Sequence, residues 1–156
     1  LIDNDKIDYS EPYAMKMNKW IFDNIDSFDP RYRVVSINLA HELFCGFVDE
    51  CSLIIDRFNK ENGVENPKTS VQFAGKNVGQ FDLAIIKNQF KKNDLGMPEN
   101  IQHRTLDVGP MYFRHFGYAP TLDEINSMLG NHEVTHNALD DAFNVVDAIR
   151  AEVGDE

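Results

Sequence analysis

Residues 73–86, FAGKNVGQFDLAII, decide how the rest of the chain is read. The segment Val71–Val78 is rich in strand formers, and Phe81 to Lys91 carries the spacing of a helix. Between them Gly75 and Gly79 allow a tight turn and close backbone approach, and Asn77 can hydrogen-bond across that turn. The stretch therefore reads as strand, turn and helix, with Asp82 at the junction. In open α/β sheets the carboxyl end of a strand is where sites are built. Taken alone, an aspartate in this position serves as a helix N-cap just as well.

Outward from this stretch the pattern is mostly helical. Glu11 to Ile25 reads as a short helix with Pro12 in its first turn and Ala14, Met17, Trp20 and Ile21 on one face. Val34 to Asn59 is strongly apolar at helical spacing and stops at KENG, with Gly63 as its C-cap. Arg104 to Val108 reads as a short strand followed by a short helix. Thr121 and Glu124 match a capping box for a helix ending near Gly130. A last helix runs from about Asn137 to Glu152, opened by HNALDDA (His136 to Ala142). The order of elements predicts one α/β domain over residues 1–156. One or two strands are few for such a core, so the central sheet is expected to be incomplete in this chain.

Composition bounds the function. Hydrophobic content of 42% and aromatic content of 11% are those of a globular protein. A net charge of −11, from 26 acidic and 15 basic residues, excludes a protein that coats duplexes by neutralising phosphates. It leaves room for an enzyme that grips a nucleic-acid end locally. Cys45 and Cys51 fit neither a disulfide framework nor a zinc pattern and are expected as reduced thiols. No apolar run approaches the roughly 20 residues of a membrane span, and no signal peptide is apparent. A cytoplasmic protein is the expectation.

The segments FAGKNVGQFD and HNALDD resemble the second and third motifs of DEDDh-type 3′–5′ exonucleases, the proofreading branch of the ribonuclease H-like superfamily. In that family an asparagine precedes Phe-Asp, matched by Asn77, Phe81 and Asp82. A His-x-Ala-x-x-Asp string follows, matched by His136, Ala138 and Asp141. TLDVGP (Thr105 to Pro110) resembles the segment between them, and EPYAMKMN (Glu11 to Asn18) the region after the first motif. The resemblance implies a central mixed sheet flanked by helices and cleavage of phosphodiester bonds at the 3′ end of single-stranded DNA or RNA. It implies two Mg²⁺ or Mn²⁺ ions held by carboxylates including Asp82 and Asp141, with His136 as general base and Asn77, Lys76 and Asn18 near the substrate. Lys87, Lys91, Lys92, Arg104 and Arg114 are further candidates for phosphate contacts; each also fits a solvated charge. Asp107 and Asp140 read as structural, and Asp123 as solvated.

The family's first motif, an Asp-x-Glu on the central strand, is missing. Asp3 and Asp5 follow no apolar strand and have no glutamate in the required place. The expectation is that this motif lies upstream of Leu1; a separate polypeptide or a catalytically inactive nucleic-acid-binding module are the alternatives. HEVTH (His132 to His136) competes for His136, because it matches the HExxH zinc-peptidase pattern. That pattern needs one continuous helix, and the preceding MLGN reads as a helix end.

Overall fold

The structure is a computed structural model of the 156-residue chain, and it describes residues 35–131 and 138–154. The expected helix Glu11–Ile25, with Asn18, lies outside the described residues. Contacts divide the chain into two compact units, Leu1–Leu43 and Phe44–Glu156. The long helix α1 (Ile37–Glu61) starts in the first and continues into the second.

Helix α1 starts three residues later than its apolar pattern suggests, because Ser36 stops it. The Ser36 hydroxyl accepts the Leu39 N–H at 3.2 Å, the bond an N-cap makes. At the other end Gly63 has φ +61°, and the Val64 N–H reaches back to the Asn59 carbonyl at 3.0 Å. That left-handed residue ends the helix where the sequence placed the stop. In the second unit Phe44 of α1 stacks on Phe73 with ring centres 5.8 Å apart, and meets Phe90 edge-on at 5.7 Å. The three rings join α1 to the strand region and to the helix that follows it.

That helix is α2 (Asp82–Lys92), and it connects β1 (Ala74–Gly75) to β2 (Leu106–Asp107). The strands pair in parallel, Ala74 opposite Leu106 and Gly75 opposite Asp107, with an isolated bridge between Val71 and Ile101. The expected strand Val71–Val78 is thus much shorter. Between bridge and ladder the 101–106 segment is longer than the 71–74 segment it faces, so regular pairing breaks. Beyond Gly75 the chain leaves the sheet because Asn77 takes φ +56°, a left-handed conformation that no strand accommodates. Among the described residues the sheet has these two strands, and the architecture is mixed α/β with helices dominant.

Four helices complete the second unit: α3 (Val108–Met111), α4 (Phe113–Phe116), α5 (Leu122–Leu129) and α6 (Ala138–Val153). The capping box read from the sequence is present in α5. Thr121 accepts the Glu124 N–H at 3.2 Å, the Glu124 carboxylate accepts the Thr121 N–H at 2.7 Å, and Gly130 closes the helix at φ +74°. The main core gathers Val108, Tyr112, Ile125, Val145 and Ala148 from α3, α5, α6 and the α3–α4 junction. Full burial of a side chain such as Ile125 contributes about 1.5–3 kcal/mol. Among the described residues no helix is long and apolar enough to cross a membrane.

Candidate functional site

Three segments adjoin the β1–β2 pair. The first is the turn after β1. Asn77 in its left-handed conformation bends the chain, and its carbonyl accepts the N–H groups of Gln80 and Phe81, each at 3.0 Å. The Leu83 N–H bonds to the Val78 carbonyl at 2.9 Å, so the turn feeds directly into α2. Asp82 is the first residue of that helix and is exposed. Its carboxylate sits where the helix dipole favours negative charge. The preceding residue, Phe81, makes no side-chain cap, and the acidic first turn is supplied by Asp82 alone. Thr105 packs under this turn: a Cβ added to Gly79 would come within 2.9 Å of its hydroxyl oxygen.

The second segment is Asp107 with α3. Asp107 ends β2 and caps α3, accepting the Gly109 N–H at 3.0 Å through Oδ1. Through Oδ2 it accepts the Asn77 N–H at 3.3 Å. Lys76 Nζ lies 4.0 Å from Oδ1, with both side chains roughly three-quarters covered. The Lys76 ammonium rests over Gly109, where any side chain would collide with it. Its charge also acts on Glu124. Lys76 is therefore occupied within the protein, held between Asp107 and the start of α5. Glu124 is held below the usual carboxylate range, first by the Tyr118 hydroxyl, which donates to it at 2.5 Å, and then by Thr121.

The third segment is α6, which packs against β1, α3 and α5. Asp141 lies in its first turn, half-buried, with Oδ1 screened from solvent. Two contacts anchor the other end of this helix. The Tyr112 hydroxyl donates to the Ala148 carbonyl at 2.7 Å. Glu152 meets Arg114 Nε and His115 Nε2, each at 3.0 Å. Arg114 is thereby engaged with α6, which bears on its expected role as a phosphate contact. Lys87, Lys91 and Lys92 are exposed along α2, and Arg104 is exposed before β2.

Asp82 and Asp141 thus occupy the first turns of the two helices that adjoin β1, one following it in the chain and one packed on it. Both offer carboxylate oxygen, the donor that suits Mg²⁺ or Mn²⁺. Two such residues are too few for a pair of ions, and among the described residues no three His, Cys, Asp or Glu side chains gather into a metal site. His136 and the whole HEVTH stretch, like Asn18, lie outside the described residues.

Two features were not anticipated. The joint role of Asp107 as helix cap and cross-strand acceptor had one visible signal, an aspartate at a strand end two residues before a glycine. Asn126 is 1% exposed in α5, and its side-chain amide makes no hydrogen bond among the described residues. Comparison with models of known families, with curated proteins and with solved structures finds no match to this chain.

Proposed function

We propose that this chain is a DEDDh-type 3′–5′ exonuclease domain of the ribonuclease H-like class, which hydrolyses the terminal phosphodiester bond of single-stranded nucleic acid and releases nucleoside monophosphates. The observation that carries the reading is the placing of two motif aspartates. Asp82 opens the helix reached through the turn at the carboxyl end of β1, and Asp141 stands in the first turn of the helix packed on that strand. The asparagine expected before Phe-Asp is at the bend itself, as Asn77. A wider central sheet, of which β1 and β2 are a part, belongs to the same proposal.

In this reading Asp82 and Asp141 are ligands of divalent cations. Such ions supply Lewis-acid chemistry to phosphodiester hydrolysis. His136 takes the proton of the attacking water, work for which an imidazole titrating near pH 6.5 is suited. Asn77 lies beside the reacting end, and the exposed lysines of α2 offer the cations a short single strand requires. An overall charge of −11 fits a local grip on one strand end.

The test uses a 5′-labelled single-stranded oligonucleotide incubated with Mg²⁺ and this chain together with the upstream segment expected to supply the Asp-x-Glu motif. A ladder shortening from the 3′ end, stopped by EDTA and by a blocked 3′ terminus, is the expected result. Binding without shortening would overturn it in favour of an inactive nucleic-acid-binding module. One tightly held zinc per chain would overturn it in favour of the HExxH reading.

A further inference from the structure

The Asp107 carboxylate touches two segments at once, and its contacts bear on how the turn that carries Asn77 is held. We propose that Asp107 is a positioning residue, which ties the turn after β1 to the start of α3 and so sets the approach of Asn77 and Asp82 to the substrate. This rests on the exonuclease reading for the identity of what is being positioned; the tie itself does not.

The parallel register places Gly75 opposite Asp107, so the two chains leave the sheet side by side. From there Asp107 closes the gap on both sides. Oδ1 accepts the Gly109 N–H at 3.0 Å, and Oδ2 the Asn77 N–H at 3.3 Å. One carboxylate therefore fixes two backbones in relation to each other. Lys76 adds a third contact at 4.0 Å, and its ammonium fits over Gly109 because that residue has no side chain. The neighbouring Asn77 is a non-glycine residue at φ +56°. Asparagine is among the few non-glycine residues that adopt this conformation, and the bond from its N–H to Asp107 ties the bend to β2. Three and four residues on, Gln80 and Phe81 donate their N–H groups to the Asn77 carbonyl, and the helix led by Asp82 begins. A change at Asp107 is thus transmitted through Asn77 to Asp82 without Asp107 meeting the substrate.

The experiment compares Asp107→Asn and Asp107→Ala in the full chain by two independent readouts. The first is the backbone amide spectrum. In the unaltered protein the Asn77 and Gly109 amides donate to the same carboxylate, so both resonances move in Asp107→Ala. Asp107→Asn, which keeps one acceptor oxygen, leaves Gly109 near its original position and displaces Asn77. An Asn77 amide unmoved in Asp107→Ala would overturn the tie.

The second readout is Mg²⁺-supported trimming of the labelled oligonucleotide, measured well below each variant's melting midpoint. Misplacing a catalytic group lowers the rate of the chemical step, so Asp107→Ala loses at least about tenfold in kcat with KM unchanged, and Asp107→Asn recovers part of it. A merely structural aspartate leaves kcat intact at that temperature, and that result would overturn the positioning role. Absence of trimming by the unaltered protein with its upstream first motif would instead refute the exonuclease reading, and the amide shifts would still decide whether the tie exists.

Discussion

The hydroxyl of Tyr112 offers the sharpest test of how the last helix is held. Tyr112 is 1% exposed, and its side chain donates to the Ala148 carbonyl of α6 at 2.7 Å. Tyr112→Phe removes this one bond and keeps the ring. The Ala148 carbonyl lies inside a regular helix, where it also accepts from four residues on, so the change leaves no buried acceptor orphaned. The expected cost is therefore that of a single net hydrogen bond, about 1 kcal/mol. For a chain of this size that lowers the melting midpoint by roughly 2–4 °C. Tyr112→Ala empties a site in the centre of the core as well and costs roughly 3–5 kcal/mol.

The same hydroxyl gives a pH signature. Burial, with the nearby charge of Glu152 second, pushes the Tyr112 pKa above its ordinary value. A group raised in the folded state contributes stability in full below its unfolded pKa, about 10 for tyrosine, and that contribution is lost as pH rises through the folded value. The alkaline decline in stability is thus shallower in Tyr112→Phe than in the original protein. It is not abolished, because Tyr118 is likewise held high by its hydrogen bond to Glu124. Calorimetric melts between neutral pH and pH 11 provide the assay. A Tyr112→Phe protein that melts with the original at every pH, or one as damaged as Tyr112→Ala, would refute the argument.

Four further outcomes are expected. Replacing His136 with alanine lowers the trimming rate by ~10²–10⁴-fold, as removal of a general base does, while Asp82→Asn or Asp141→Asn abolishes Mg²⁺-dependent trimming; rapid-quench assays of a labelled oligonucleotide read both. Thr121→Ala removes the cap of α5 and costs about 1 kcal/mol in chemical denaturation. Because Glu124 is held below its usual range, its contribution is present above the ordinary glutamate pKa and lost as pH falls through the lowered value, so Glu124→Gln flattens the acid limb of the stability profile. Gly109→Ala displaces the flexible Lys76 ammonium and with it the contact to Asp107, a coupling that a double-mutant cycle with Lys76→Ala measures.

The parts of the fold legible in the sequence were those governed by near neighbours. The Thr121–Glu124 box, the Gly63 and Gly130 stops and the helix following Phe81 all depend on residues a few positions apart, and each is where the pattern put it. The strand over Val71–Val78 was over-read, because apolar β-formers do not reveal the left-handed bend at Asn77 or the unequal lengths of the two facing segments. At the site, Asp82 and Asp141 fall in the first turns of their helices as the motif spacing suggests. The resemblance puts Lys76 near the substrate, and nothing local shows that Gly109, far along the chain, leaves room for its ammonium. Asp107 read as structural, and its second bond depends on a parallel register that no local pattern encodes. His136 and Asn18 lie outside the described residues.

The parallel pairing of β1 and β2 also constrains how the molecule reaches its native state. No hairpin can join parallel strands; here the connection runs through α2, so every contact between them closes a long loop. Closing such a loop costs entropy before any pairing repays it. The Asp107–Gly109 cap spans only two residues and forms without that cost, whereas the bond from Asn77 spans 30. Of the two bonds this carboxylate accepts, the local one costs little chain entropy and the one from Asn77 carries nearly all of it.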